Sequence, residues 1–171
     1  IFISAYASSP LAANYDYTLA GKEEELQVAL TAISKLTTGS VHGSVGKDSN
    51  SPFTGLKNIQ LHNVSGPHPV GNVSTQISQI DPLNKGEVVW VINPHDLLVI
   101  GELLLTGNFN FSRTLALTGS QFERPSYVSV VAGASISDVV AKNIIIDNTR
   151  IISGNVLSGT QVSEDDFLGY Y

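Results

Sequence analysis

The side chains of this 171-residue chain best suited to chemistry are four histidines, His42, His62, His68 and His95, and fifteen Asp and Glu residues. Their spacing argues against the commoner catalytic devices. No two histidines stand four apart and no H-E-x-x-H occurs, so a helix-borne zinc pair is missing. His62 and His68 could meet across a turn, but no acidic residue lies between Lys57 and Ile80 to join them. Zinc needs three or four converging ligands, so the histidines read as surface or capping residues. Glu164, Asp165 and Asp166 could hold a hard cation. Consecutive residues point in different directions, however, which favours a solvated turn before "FLGYY". There is no G-x-S-x-G elbow for a serine nucleophile and no cysteine at all.

The segment "NVSGPHPVGNVST", residues 63–75, concentrates two prolines, two glycines and His68. As a phosphate cradle it is weak. Gly66 and Gly71 do not have the spacing of G-x-G-x-x-G, and Pro67 and Pro69 remove backbone N–H donors that a phosphate would use. No G-K-[ST] occurs anywhere. A tight, proline-framed turn between ordered elements is the reading that remains.

Composition narrows the class further. With 42% apolar and 14% charged residues the chain is globular and large enough to bury a core. Nine Lys and Arg are scattered singly under a net charge of −6, which argues against a nucleic-acid footprint. The most apolar stretch, "LLVIGELLL" at residues 97–105, is too short for a membrane span and is interrupted by Glu102. The opening "IFISAYASSP", without an initiating Met or a basic leader, reads as the interior of a longer protein.

The elements that must position these residues follow from periodicity. "IFISAY", "SVHGSVG" and "NIQLHNV" read as strands, and "EVVWVI" (residues 87–92) as a fourth, its continuous apolar run predicting burial on both faces. Leu26, Ala29, Leu30, Ile33 and Leu36 recur at helical spacing behind three first-turn glutamates. Residues 76–80 are ambiguous. "NPHDLLVIGELLLTG" is a helix with Asn93 as N-cap, Pro94 at its first position and Gly107 past its end, and its apolarity predicts burial on most sides. Alternating strands and helices imply a mostly parallel, open α/β layer to about residue 107. Thereafter "SRTLALTG" and "SYVSVV" form a hairpin. "SISDVVAKN" follows as a short helix, with Ser135 and Asp138 in capping-box relation and Val139 and Val140 inward, and two more strands close the unit. The fold class is therefore α/β (α+β overall): a partial Rossmann-like layer over residues 1–108, then a small β-grasp-like domain over residues 109–171.

Several unusual stretches occur in one order: "SAYASSPLAANYDYTLAGKEEELQVALTAISKLTTGSV", "NVSGPHPVG", "DPL", "VVWVINPHDLLVIGELLLTGNF", "RTLALTGSQFERP", "GASISDV" and "RIISGNVLSGTQV". Together they resemble the NqrA subunits of the bacterial sodium-translocating NADH:quinone oxidoreductases, over essentially the whole chain. The resemblance implies the middle of an NqrA subunit, with an SLBB-type β-grasp domain second. It implies a peripheral protein on the cytoplasmic face of the bacterial inner membrane. Its partners would be the other subunits of an oxidoreductase that passes electrons from NADH through flavins to ubiquinone or menaquinone while exporting Na⁺.

The family is similar in fold to the NADH-oxidising flavin subunit of respiratory complex I and to the C subunit of the Rnf complex. Those relatives carry Gly and Glu residues beside flavin and nicotinamide where this chain has "GPHPVGNVST", without a carboxylate. The resemblance therefore carries over no cofactor, no metal and no self-contained catalytic residue to this stretch. It implies instead a role in assembly, with a quinone-facing cluster of His68, Gly71, Asn93 and His95. Donors to quinone carbonyls are needed, and open α/β sheets bind ligands beyond the carboxyl ends of their strands. The plainer reading, which the sequence favours, has His68 and Asn93 only capping and bracing turns. A flavin- or nucleotide-binding module and a pure protein-interaction domain are the alternatives.

Overall fold

The computed structural model describes residues 1–140, 143–145 and 148–170. Two compact units divide the chain: residues 1–8 with 14–110, and residues 9–13 with 111–171.

In the first unit, strands β1 (Phe2–Ser4), β2 (His42–Gly46) and β3 (Gln60–Val64) form a parallel sheet in the order β1-β2-β3. Between them lie α1 (Tyr15–Thr18) and α2 (Glu23–Ile33); α3 (Val73–Ile80) and α4 (Pro94–Thr106) follow. Residue parity sorts the sheet into two faces. Ile3, Ala5, Val41 and Val45 join Leu26, Leu30 and Ile33 of α2 and Leu97 and Leu98 of α4 in one apolar core. On the other parity, Ser4 stands opposite Ser44, and Ser44 opposite His62. Residues 76–80, ambiguous in the sequence, belong to α3, whose one buried residue is Gln76.

The two long helices end as their sequences dictate. Asn93 accepts a hydrogen bond from the His95 amide at 2.9 Å, Pro94 occupies the first turn and Gly107 closes α4 in the left-handed region. At their crossing, Gly101 presses against α2: a Cβ added there would lie 1.9 Å from the Glu25 carbonyl oxygen. Lys22 bridges the same junction, 3.1 Å from Glu25 and 3.3 Å from Glu102.

Two expectations are corrected. Residues 87–92 are not a doubly buried strand. They run extended beside β1 and pair only around Phe2, which donates to the Trp90 carbonyl at 2.8 Å and accepts from the Ile92 amide at 3.0 Å. Val88 is 84% and Trp90 72% exposed, because the apolar run sits at the sheet's margin instead of between two layers. Nor is α4 buried on most sides. Leu97, Leu98 and Val99 are buried, but Leu103, Leu104 and Leu105 are exposed where the helix extends beyond α2.

The second unit pairs β4 (Ser112–Leu117) with β5 (Ser126–Val131), and β6 (Ile151–Ser153) with β7 (Thr160–Val162), both antiparallel, around α5 (Ile136–Val140). Ile136 and Val140, one turn apart, are its buried pair together with Leu117, while Val139 is only half-buried. Ser135 Oγ lies 2.7 Å from Ser137 Oγ. The expected continuation of this helix through Ala141 and Lys142 lies outside the described residues. Asp166 braces the acidic turn by accepting from the Ser163 amide at 2.7 Å and its hydroxyl at 3.0 Å, which holds its carboxyl below the usual range.

Gly101→Ala should lower stability by about 2–3 kcal/mol, since backbone and not a flexible side chain blocks the methyl group. Denaturant unfolding measures this, and an unchanged midpoint would contradict the crossing described.

Candidate functional site

Because residues 90–92 pair with β1 on one side and β2 pairs on the other, β1 is interior to the sheet. The chain leaves the carboxyl ends of these two neighbours in different directions. One path runs toward Ser8, the other into Asn93 and α4. Both paths lead to helices packed on the apolar face, α2 and α4, and ligands of open α/β sheets bind beyond the carboxyl ends of the strands.

The proline-framed loop, residues 65–72, is fastened to the first of these ends. Ser8 Oγ accepts from the Gly71 amide at 2.8 Å and lies 3.1 Å from His68 Nδ1. Ser4 Oγ donates to the Gly71 carbonyl at 3.1 Å and accepts from Gln76 Nε2 at 2.9 Å. Gln76 Nε2 also donates to the Val70 carbonyl at 3.1 Å. Glycine is required at 71 by close approach: a Cβ would stand 2.4 Å from the Ser8 amide nitrogen and 2.8 Å from the Tyr6 carbonyl oxygen.

This network ties the His68 ring to the loop: the Ser8 hydroxyl oxygen accepts from Gly71 and meets Nδ1, and Nε2 lies on an exposed side chain. The same bonds leave little for a phosphate. The amides of Val70, Gly71 and Asn72 are taken by Pro67 O, Ser8 Oγ and Pro69 O, and Pro67 and Pro69 have none.

At the second end, Asn93 caps α4 through the His95 amide and its side chain is hydrogen-bonded to the Tyr15 hydroxyl. Burial of Tyr15 pushes its hydroxyl above the usual range, the Asn93 bond opposes this, and nearby Asp96 adds to it. Tyr15 therefore stays a neutral phenol. The four residues read from the sequence thus fall into two pairs: His68 and Gly71 share Ser8, and Asn93 and His95 share the helix start.

One constellation was not legible in the sequence. His42 is buried, not a surface or capping residue. Its Nδ1 lies 3.1 Å from His62 Nε2, its ring stacks on Phe2 at 4.7 Å, and its Nε2 is 3.8 Å from an Asp81 carboxylate oxygen. His62 therefore meets His42 across the sheet, whereas His68 turns to Ser8. Desolvation, reinforced by His62, holds the His42 imidazole below its usual pKa, with Asp81 opposing. The signal available was parity: in parallel register, His42 and His62 are diagonal neighbours on one face.

Comparison with known proteins accounts for both units. The model of the NqrA second alpha/beta domain matches residues 1–109, and that of the NQRA C-terminal (SLBB) domain matches residues 114–164. The chain belongs to the NqrA family. It is 36% identical over 172 residues to the A-subunit of the Na(+)-translocating NADH-quinone reductase of Histophilus somni strain 2336, covering all of this chain and 39% of that protein. The protein of the same name from Neisseria meningitidis serogroup B is 36% identical over 173 residues, of which this chain covers 38%. That from Haemophilus influenzae strain PittGG is 36% identical over 174 residues, of which it covers 39%. The chain thus spans about two fifths of the length of these NqrA relatives, with 39% of the first matched. Among the described residues, no helix is long and apolar enough to cross a membrane.

Ser8→Ala should free both the Gly71 amide and His68 Nδ1. At about 1 kcal/mol for a lost hydrogen bond, Gly71 amide exchange should rise roughly fivefold. Exchange at the wild-type rate would show that Ser8 does not hold the loop.

Proposed function

We propose that this NqrA-family chain is the central part of the peripheral NqrA subunit of a Na⁺-translocating NADH:quinone oxidoreductase, lying on the cytoplasmic face of the bacterial inner membrane. Its role there is to help assemble the complex and to contact quinone, without a catalytic site of its own. The observation that supports the quinone reading is that polar side chains stand beyond the carboxyl ends of two neighbouring strands. His68 is held on the loop anchored on Ser8, and Asn93 and His95 stand at the start of α4 beyond the neighbouring carboxyl end. Quinone carbonyls accept hydrogen bonds, and a loop whose amides are already bonded within the protein suits ubiquinone or menaquinone better than an anionic nucleotide. Gly71 contributes by letting the loop backbone lie against Tyr6 and Ser8.

Electrons then come from NADH through flavins held elsewhere in the complex, and the residues here orient the acceptor. In this reading the Rossmann-like part gives way to an SLBB-type β-grasp at residues 108 and 109, two residues before the compact units part after residue 110. The exposed margin bearing Val88, Trp90 and Val91 supports the assembly half of the reading, since an unpaired apolar edge favours contact with other polypeptide.

The assembled complex carrying His68→Ala should show a KM for quinone about tenfold higher, the scale of one lost hydrogen bond to a substrate. Reduction of the complex's flavins by NADH should be unchanged, and His68→Gln, which keeps a donor, should recover part of the loss. A wild-type KM in the fully assembled variant would remove His68 from the site.

A further inference from the structure

We propose that α3, together with the loop of residues 65–72 leading into it, is an acid-opened flap over the polar face of the sheet. The two faces of this sheet are held by different forces. On one, α2 and α4 bury Leu26, Leu30, Ile33, Leu97 and Leu98 against Ile3 and Val45. On the other, α3 buries only Gln76, and its apolar residues Val73, Ile77 and Ile80 are half-exposed. What fastens it is polar: Gln76 to Ser4 and Val70, Ser8 to Gly71 and His68, and Asp81, just past its end, toward His42. Elements with few buried apolar contacts open first.

The polar face is also incompletely satisfied. Among the described residues, Ser44 Oγ and Gln76 Oε1 have no hydrogen-bond partner, though these residues are 1% and 3% exposed. Both atoms gain water when the flap lifts, which lowers the cost of lifting it.

The trigger lies on the same face. His42 and His62 join through one Nδ1–Nε2 contact and share one proton there, so protonating both rings places like charges together in a buried setting. The other charged groups facing His42 are Asp81 and the amino group of Ile1. The Asp81 side chain is 71% exposed, so its attraction is screened and compensates weakly. The closed state therefore binds fewer protons than the open one. Closure is fully favoured above the ordinary histidine pKa of 6.5 and weakens as pH falls through it. None of this depends on what the loop binds.

Hydrogen exchange of the intact protein, corrected for the intrinsic effect of pH, tests the flap. At pH 7.5, residues 73–80 should exchange faster than residues 23–33. Below pH 6.5 their opening should increase by up to about tenfold per unit, the slope for one proton taken up, while residues 23–33 do not respond. Asp81→Asn, an exposed change that leaves the core untouched, should leave the onset in place and increase the opening reached at lower pH, because removing the counter-charge lowers the closed-state His42 pKa further. Protection of α3 equal to that of α2, an α3 response independent of pH, or wild-type opening at low pH in Asp81→Asn would each overturn the proposal.

Discussion

The placement of β1 is the constraint on which the first unit depends. Phe2 hydrogen-bonds to residues 90 and 92 on one side, while β1 forms a parallel ladder with β2 on the other. A strand paired on both edges is fixed in register, and a slip by one residue would exchange Ile3 and Ala5 for Phe2 and Ser4 against the core. Fixing β1 also fixes where two chain paths part beyond its carboxyl end. Ser4 and Ser8, at and beyond that end, hold the proline-framed loop.

From this arrangement follows a division of labour between the faces. The apolar face, closed by the Gly101–Glu25 approach of α4 on α2, supplies rigidity. The polar face carries Ser4, His42, Ser44 and His62 under a helix that contributes Gln76 instead of a hydrophobic knob. Burying such groups costs stability unless they pair, and two of their atoms do not. A sheet that gives up hydrophobic packing on one side retains a polar surface that can be uncovered, next to the loop that presents His68.

How much of this is legible in the sequence depends on the range of the interaction involved. α2 and α4 are legible because helical spacing, first-turn carboxylates and the Asn93–Pro94 start are local signals. The parallel strands are legible from β-branched runs alternating with helices. Residues 87–92 mislead because an apolar run reports hydrophobicity but not neighbours, and only Phe2 pairs with it. The loop's prolines and glycines indicate a turn. Its fastening cannot be read, since Ser4 and Ser8 lie 67 and 60 or more residues from their partners. The His42–His62 contact escapes for the same reason: it exists only once two strands 20 residues apart adopt one register.

In the proposed function, the quinone headgroup is received beyond the carboxyl ends of β1 and residues 90–92. A structure of the complete complex with a bound quinone analogue tests this most directly. The expected result is a headgroup carbonyl within hydrogen-bond distance of the His68 ring, or of the Asn93 and His95 pair, with Ser8 still holding the loop. A headgroup bound elsewhere, with residues 65–72 packed against a different polypeptide of the complex, would contradict it.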